Sequence, residues 1–515
     1  MSEEPVTAPH GPDWLRLDPR TVLVRVALFS GVLFGAAVPL ALALAGPRPL
    51  GQAVAWVAAG FLLALAATFV AETVRVRRTR YRVGADRVEL HTGLLVVQRR
   101  SLARERVRSA DLSANLLQRL FGLVKVRVGT GEHTAGDSTL ELDLVTRAEG
   151  ERLRRELLAR AAAPAGSADP DGTLAALDPR WIRYAPVSFV APALGLAAAG
   201  AVMQASDWFG AQQRVISWIG DRFQDVSVVW MIVDLALLAT VAGAVGALGL
   251  WVEMWWNYRL EREPGGTLRV SRGLFTARSV SLEERRLRGI ELVQPLGVRL
   301  FGAARVDAVA TGLAQNDGDK HADLKNLLPP VERSVADRVA AEVLREPVPP
   351  TGARLAAHPR AARARRVRWA LWSVLGPVSL LALLGAFLTP VLLYVAAGCA
   401  LVGVPAAVLL ALDAYRGLGH TVSGPWLVTR SGTVRRATVV LQRSGVIGWT
   451  VKQSYFQRRA GLLTLTATTA AGAGAYAVLD AGQNQGLTFA AEAVPELLAP
   501  FLEAVPMPEA RSTER

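Results

Sequence analysis

The sequence predicts an α+β membrane protein: six transmembrane helices in three hairpins, each hairpin followed by a cytoplasmic β-barrel or sandwich with a C-terminal helix. Three observations support this. The 515 residues are 51% hydrophobic and only 20% charged, whereas soluble proteins carry about a quarter charged residues. Paired apolar runs, each about 20 residues long, recur three times along the chain. The hydrophilic stretch after each pair contains the same spaced glycines.

Six apolar runs are long enough to span a bilayer, which takes about 20 residues. They lie at Val26–Ala45, Ala53–Ala71, Pro186–Ala205, Val228–Leu250, Trp369–Leu388 and Val391–Leu412. They predict transmembrane hairpins at residues 26–71, 186–250 and 369–412. Within the second hairpin, the apolar spacing of Asp207–Val226 is typical of an interfacial amphipathic helix or of an ordered loop with aromatic residues.

Arginines concentrate on one side of these spans. They lie at Arg16, Arg20 and Arg25 before the first span, at Arg75, Arg77, Arg78 and Arg80 after the second, and at Arg360, Arg363, Arg365, Arg366 and Arg368 before the fifth. The hairpin turns carry little net positive charge. By the positive-inside rule, we expect a multi-pass protein of the cell membrane with both termini and all three hydrophilic domains in the cytoplasm.

The three hydrophilic domains share one residue pattern. Gly93, Gly273 and Gly432 begin it, and a leucine lies 9, an arginine 26 and a second glycine 29 residues beyond each. The second glycines are Gly122, Gly302 and Gly461. Three identical spacings indicate three copies of one fold. The second glycines predict a turn with positive φ or a close backbone approach.

Within each copy, alternating apolar residues predict short strands, including a hairpin around the first glycine. An amphipathic helix closes each copy, at Ala148–Arg160, Val331–Arg345 and Ala490–Ala504. The domains are predicted at residues 78–160, 257–346 and 418–505. Linkers at 161–183 and 347–368 separate them from the following hairpins, and tails at 1–25 and 506–515 complete the chain.

Two spans followed by a glycine, a Ser-Leu pair and a Leu-Phe-Gly turn resemble the bacterial pleckstrin-homology-like (bPH_2) membrane proteins. Three such copies resemble the YdbT-like members of that family. The third copy departs from the pattern, because it lacks the Leu-Phe pair and has Gly445 where the others have Arg106 and Arg286. The resemblance implies a PH-like fold, a membrane location, no established catalytic reaction and a smaller single-domain PH-like membrane protein as a partner.

Signatures of enzyme chemistry are missing from the sequence, which has no phosphate-binding glycine loop followed by lysine, no HExxH and no Gly-x-Ser-x-Gly. The single cysteine, Cys399, excludes a disulfide framework. Isolated histidines are expected at solvent-facing positions or strand ends, and they are His91, His133, His321 and His420. We expect no catalytic residue, cofactor or metal.

Arginines beyond the window of the positive-inside rule form the candidate contact surface. Arg104, Arg106 and Arg108 share one face if this segment is a strand. Such a face predicts contact with an anionic lipid headgroup or a partner protein. Nucleic acid is not expected, because stacking aromatic residues do not alternate with these arginines.

Three functions are compatible with the sequence. The favoured one is a non-enzymatic membrane scaffold or interaction platform, in envelope maintenance or stress defence. The first alternative is an anionic-lipid-binding or lipid-handling protein. The second is a transporter or membrane enzyme that uses Asp234, an ionisable residue inside the fourth span. Asp234 lacks ionisable partners in the other spans, which argues against the second alternative.

Overall fold

The computed structural model describes residues 14–45, 49–84, 86–93, 97–107, 109–129, 139–159, 172–187, 190–208, 210–224, 226–311 and 325–498. The chain divides into two compact units, residues 1–286 and 287–515. The boundary between the units falls inside the second sequence repeat, between its third and fourth strands.

The first unit begins with a helical hairpin of α1 (Arg20–Ala45) and α2 (Leu50–Arg78). Both helices are apolar along most of their length and bury few of their residues, as expected of helices that face lipid. Three arginines occupy the last turn of α2, where positive charge is favourable beside the helix C-terminus. Thr79 then adopts extended backbone and leads into the first sheet.

The first repeat encloses its core between two sheets and a helix. Its first sheet has the order β1-β2-β3-β4, with strands at Leu15–Arg16, Arg80–Val83, Arg87–Thr92 and Gln98–Ala103. The chain continues through β5 (Ser109–Ala114), α3 (Leu116–Leu120), β6 (Leu123–Gly129), β7 (Thr139–Thr146) and α4 (Arg147–Ala159). Val88 of β3, Val126 of β6, Leu142 of β7 and Leu153 of α4 are fully buried in one cluster. Alternate strand residues point to one face, so apolar residues at every second position supply this core.

A second hairpin follows in the first unit. After strand β8 (Gly172–Ala176), which lies within the predicted linker, come α5 (Val190–Trp208), α6 (Gln212–Arg222) and α7 (Val228–Trp255). A Cβ atom at Gly195 of α5 would collide with the backbone of Ala239 in α7. Glycine therefore allows the two helices to approach closely, as small residues do in membrane helix pairs. The segment between these helices is the predicted amphipathic helix, now α6.

The first unit ends in the first half of the second repeat. Its strands are β9 (Arg259–Glu263), β10 (Thr267–Arg272) and β11 (Ala277–Glu283). They join the last three strands of the first repeat in one seven-stranded sheet of order β7-β6-β5-β11-β10-β9-β8. The repeat and the sheet therefore have different boundaries.

The second unit has the same organisation. Its elements are β12 (Leu287–Pro295), α8 (Leu296–Leu300), β13 (Ala303–Ala310), β14 (Asn326–Glu332), α9 (Arg333–Leu344), α10 (Arg360–Phe387), α11 (Pro390–Arg416), β15 (Gly419–Ser423), β16 (Trp426–Ser431), β17 (Arg435–Gln442), β18 (Val446–Lys452), α12 (Tyr455–Arg459), β19 (Leu462–Thr469), β20 (Ala475–Gly482), α13 (Gln483–Ala493) and α14 (Pro495–Leu498). Six strands form one sheet of order β14-β13-β12-β17-β16-β15, and β18-β19-β20 form another. Leu441 of β17, Leu465 of β19 and Phe489 of α13 share the core of the third repeat.

Five described helical segments are long and apolar enough to cross a membrane: Arg20–Ala37, Gly51–Arg78, Trp230–Trp255, Arg360–Phe387 and Pro390–Arg416. The predicted span Pro186–Ala205 corresponds to α5, which is not among these five.

The predicted closing helices agree with α4 and α9 to within two residues at their first residue. The first residue predicted for the third helix is wrong, and its predicted end at Ala504 lies outside the described residues. Helix α13 begins at Gln483, seven residues before Ala490. Its Gly486 lies against the side chains of Leu463 and Leu465, so a glycine that reads as a turn residue instead packs the helix on the sheet.

Candidate functional site

The predicted arginine face does not lie on a strand. Arg104–Arg106 form one turn of 3-10 helix, and Arg108 lies outside the described residues. The Arg104 guanidinium donates hydrogen bonds to the carbonyl oxygens of Gly84, at 2.9 Å, and Glu156, at 2.6 Å. Arg104 therefore connects the hairpin turn between β2 and β3 to the C-terminal end of α4, where unpaired helix carbonyls need donors. The strand expected at Arg104 and Arg106 is therefore wrong, since these residues lie in a 3-10 turn.

Arg443 makes the same contacts in the third repeat. Its guanidinium donates to the carbonyl oxygens of Ala493 and Glu492 at the end of α13, and to Gly424 between β15 and β16. Arg443 occupies the position of Arg104 when the repeats are aligned on their glycines. The recurrence indicates that this arginine fixes the closing helix to its sheet and is not free to bind a ligand.

The six repeat glycines lie in turns that need them. Their φ angles are all positive, at 149° for Gly93, 114° for Gly273, 95° for Gly432, 68° for Gly122, 70° for Gly302 and 62° for Gly461. Residues with a Cβ rarely adopt this backbone. The positive φ predicted for the second glycine of each repeat is confirmed.

One joint between repeats lies in the first unit. Strand β5 of the first repeat pairs antiparallel with β11 of the second, with Leu112 opposite Ser279 and Ala114 opposite Ala277. Backbone pairing therefore continues from one repeat into the next, and the last three residues of β5 are covered by β11.

A second joint lies in the second unit, and it has the same register. Strand β12 of the second repeat pairs with β17 of the third, with Leu292 opposite Thr438. Repeat positions differ by 180 residues between the first two repeats and by 159 between the last two, as the first glycines show. Leu292 and Thr438 are thus the equivalents of Leu112 and Ser279. Two joints with one register identify a specific mode of assembly.

An arginine of each preceding repeat reinforces these joints. Arg119 donates to the carbonyl oxygen of Leu274 in the first unit, and Arg299 donates to the carbonyl oxygen of Thr433 in the second. Each acceptor follows the first glycine of the next repeat. These arginines are the ones that lie 26 residues beyond that glycine in their own repeats, so the sequence pattern marks them without showing what they contact.

A buried ion cluster adds to the joint of the first unit. Arg154 of α4, only 3% exposed, donates two hydrogen bonds to Glu263 of β9, at 2.8 and 2.9 Å, and also pairs with Glu151. Arg269 bonds both carboxylates. Burial raises the pKa of Glu263, but the bonds and charge of Arg154 outweigh it and hold that pKa below its usual value. The cluster therefore stays ionised and fixes the two repeats to each other.

An open cleft of about 440 Å³ lies where the first hairpin meets its domain. Apolar side chains of α1 line one part of it, and Arg25, Lys125 and Asp143 line another. Arg25 pairs with Asp143 at 2.6 Å and with Glu72 at 3.3 Å, and Lys125 pairs with Glu141 at 2.5 Å. Apolar and cationic walls side by side suit an amphiphile with an anionic head.

Short helix α3 presents exposed apolar residues beside this cleft. Leu116 and Leu120 are exposed, whereas Leu117 packs against Val24 near the start of α1. In the third repeat, Tyr455 and Phe456 of α12 are likewise exposed. Large exposed apolar residues beside the start of a membrane helix are suited to contact with the interfacial region of a bilayer or with another protein.

The structure also contains a buried pair of histidines that the sequence analysis missed. His420, expected at a solvent-facing position or strand end, lies on β15 but is buried against His358, with 3.0 Å between His420 Nδ1 and His358 Nε2. His358 Nδ1 lies 3.0 Å from the carbonyl oxygen of Asp480. A carbonyl only accepts, so His358 Nδ1 carries a proton. In the neutral pair, His358 Nε2 is then the acceptor and His420 Nδ1 donates to it. Arg365 and Arg366 pair with the carboxylate of Asp480.

Asp234, the candidate for a transport or enzymatic role, gains no support from its surroundings. Asp234 lies on α7, exposed, without an ion pair to any described residue. The described residues include no cluster of three or more histidine, cysteine, aspartate or glutamate side chains that would hold a metal ion.

Two kinds of known sequence are similar to this chain, a protein-family model and a bacterial transmembrane protein. Residues 33–161 and 379–497 match the family model of the bacterial PH domain. Each of these two ranges is similar to a bacterial PH domain. It is 22% identical over 415 residues to the UPF0699 transmembrane protein YdbT of Bacillus subtilis (strain 168), an alignment that covers 77% of this chain and 80% of that protein. No solved structure matches the chain significantly. The matched ranges include the first and third PH-like repeats, although the third departs most from the repeat motif.

Proposed function

We propose that this transmembrane protein is a non-enzymatic scaffold of the cytoplasmic membrane, which serves envelope maintenance or stress defence and joins successive PH-like repeats through shared sheets. The observation that supports it is the equal register of the two joints, β5 with β11 and β12 with β17. Domains joined only by linkers move relative to one another by default. A shared sheet removes that freedom within each joint, and two adjoining repeats held in one register suit a platform for other proteins.

The proposal includes six spans, with both termini and all PH-like domains in the cytoplasm. The arginines at the start of α1, at the end of α2 and at the start of α10 support this orientation. Helix α5 would be the sixth span, because it packs closely along α7 and its residues are mostly apolar. Helix α6 would then lie at the outer surface, with its amphipathic face in the membrane interface.

Site-specific photo-crosslinking in native membranes tests the scaffold. A photoreactive amino acid replaces exposed Leu300 of the second repeat, exposed Leu120 of the first or, as a control, lipid-facing Val32 of α1. A scaffold is expected to give discrete protein adducts from Leu300 or Leu120 and only lipid adducts from Val32. Lipid adducts alone at all three positions would refute the scaffold and favour lipid binding.

The cleft at the first hairpin supports a second candidate function, the binding of an anionic lipid headgroup. Arg25 and Lys125 are there within reach of a headgroup whose acyl chains would lie along α1. Their carboxylate partners, Glu72, Glu141 and Asp143, leave the site little excess positive charge. Binding would therefore depend on exchange of these ion pairs for phosphate contacts, and would weaken as salt rises.

Retention of lipid by the full chain in nanodiscs tests this alternative. Lys125→Glu should lower the retention of anionic lipid relative to neutral lipid. Arg127→Glu is the matched control, because Arg127 lies on the same strand and pairs with the same Glu141 but does not line the cleft. Equal retention by both variants and the unchanged protein would exclude a headgroup site in the cleft.

A further inference from the structure

The repeated joint leaves one matching strand edge at each end of the series. β18 in the third repeat is the equivalent of β5 and β12, but it pairs only with β19 among the described residues. β4 in the first repeat is the equivalent of β11 and β17, and it pairs only with β3 in the described part of the chain. The two joints pair a strand of the β5 kind with a strand of the β11 kind, so β18 and β4 are the two kinds of strand that pair with each other.

A glycine in β18 indicates that the edge is adapted to a neighbour. Gly448 is the equivalent of Gly289 in β12, and both follow an irregularity in the pairing of their strands. At Gly289, a Cβ atom would overlap the carbonyl oxygen of Val440 on the neighbouring strand β17. At Gly448, a Cβ would meet nothing within 4 Å, and φ is not in the positive range. The single chain thus does not need glycine there, whereas a strand docked as β17 docks on β12 would.

The composition of β18 is that of a pairing strand and not of a protected edge. Natural edge strands are usually covered, shortened, or guarded by charge and proline. β18 has seven residues with no proline and no acidic residue, and Ile447 and Val451 are exposed at 62% and 46%. Its only charged residue is Lys452 at the end.

The arginine that reinforces the joints is also available at this end. Arg458 is the equivalent of Arg119 and Arg299, which bind the following repeat. The guanidinium of Arg458 is exposed and forms no hydrogen bond or ion pair with a described residue. It lies on α12, directly after β18, as Arg299 lies on α8 directly after β12.

We propose that β18 of one copy pairs antiparallel with β4 of a second copy, so that this protein assembles head to tail in the plane of the membrane. This inference rests on the proposed scaffold function and names its partner. If the third joint keeps the register of the other two, Gly448 lies opposite Leu102, Thr450 opposite Arg100 and Val451 opposite Arg99. The contact is β-augmentation, in which backbone hydrogen bonds supply affinity and the alternating side chains supply register.

Disulfide crosslinking of the full chain in native membranes tests the proposal. Two differently tagged copies are co-expressed in a Cys399→Ala background, one with Thr450→Cys and the other with Arg100→Cys. Directly opposite residues have Cβ atoms about 4.5–5.5 Å apart, which suits a disulfide. We expect an oxidised dimer that contains both tags, and little dimer when Gln98→Cys, two residues out of register, replaces Arg100→Cys.

A third variant separates pairing from folding. Gly448→Val, added to the Thr450→Cys copy, should remove the crosslinked dimer without lowering the thermal midpoint of the protein, because the added atoms meet nothing in one copy. Equal crosslinking in both registers, a disulfide only within one copy, or a crosslink only to another protein would each overturn the proposal. Protein adducts at Leu300 would still support a scaffold in those cases, so the two failures are distinguishable.

Discussion

The buried histidine pair predicts that acid destabilises the third repeat. Burial and, second, the charge of nearby His358 lower the pKa of His420 from its usual 6.5 to about 4. Burial also lowers the pKa of His358, which the bond to the Asp480 carbonyl only partly offsets. Arg365 and Arg366, both paired with Asp480, face the same pocket and add no proton acceptor. Both imidazoles are therefore neutral in the folded protein at neutral pH.

The sign and size of the effect follow from proton linkage. A histidine whose pKa is lower in the folded state than in the unfolded state binds a proton more readily when the protein is unfolded. The free energy of unfolding is therefore highest above the unfolded-state pKa, and it falls as the pH drops from that value toward the folded-state pKa. With pKa values of 6.5 unfolded and about 4 folded, the titration of His420 alone should lower the free energy of unfolding by about 2 kcal/mol between pH 7 and pH 5. This loss corresponds to about a 20-fold increase in the opened fraction of the repeat.

Hydrogen exchange measured by mass spectrometry on the full chain in nanodiscs gives this number. Protection of β15 and β16, corrected for the intrinsic effect of pH on exchange, should fall about 20-fold from pH 7 to pH 5. Other groups also titrate, so His420→Gln is the control, and its pH dependence should be weaker by most of that amount. An identical pH dependence in the variant, or greater protection at pH 5, would refute the assignment of a neutral buried pair.

Three further predictions concern stability and topology. Gly302→Val should destabilise its repeat by about 1–3 kcal/mol, because valine is strained at φ 70°. Gly302→Asn should destabilise the repeat less, because asparagine tolerates this backbone. Unchanged thermal midpoints in both variants would contradict the predicted strain. Arg154→Leu should lower the free energy of unfolding by about 2–3 kcal/mol, which is less than the loss of a fully buried ion pair because Glu263 is 25% exposed. Amide hydrogen exchange in β9–β11 should rise, and Arg154→Lys should recover part of the loss. With the native cysteine removed, Gln212→Cys should react with an impermeant thiol reagent outside intact cells and Val348→Cys should not; the reverse pattern would invalidate the orientation.

Periodicity and spacing predict the parts of this fold that depend on local sequence. The repeat spacing identified the turn glycines because positive φ is a property of one residue and its immediate neighbours. Helix α4 was predicted to within one residue of its start, because that start is set locally: the backbone N–H of Glu149 donates to Thr146 Oγ1 at 3.3 Å. Helix α13 was misplaced, because its Gly486 is determined by distant leucines and not by local propensity.

The candidate site depends on long-range contacts, which explains why sequence reasoning failed there. Arg104 looked free because alternation along a presumed strand gives no information about the carbonyls of Gly84 and Glu156, which are distant in sequence. His420 was expected at a solvent-facing position or a strand end, and it does lie near the start of β15; its burial against His358, 62 residues away, is not visible in a local pattern. The joints were likewise invisible, since each repeat reads as a complete domain, and only the pairing of β5 with β11 shows that the sheets continue beyond it.

The joints also bear on how a chain of this kind gains or loses repeats by duplication or deletion of its gene. The exchangeable module is a segment from the middle of one joint strand to the middle of the next, and it is 180 residues long between Leu112 and Leu292. Deleting residues 112–291 would fuse the start of β5 to the remainder of β12 and keep the register with β17. A cut at domain boundaries would instead leave two sheets without their neighbours. Relatives with other repeat numbers should therefore differ by whole joints, each retaining one β4-like and one β18-like end.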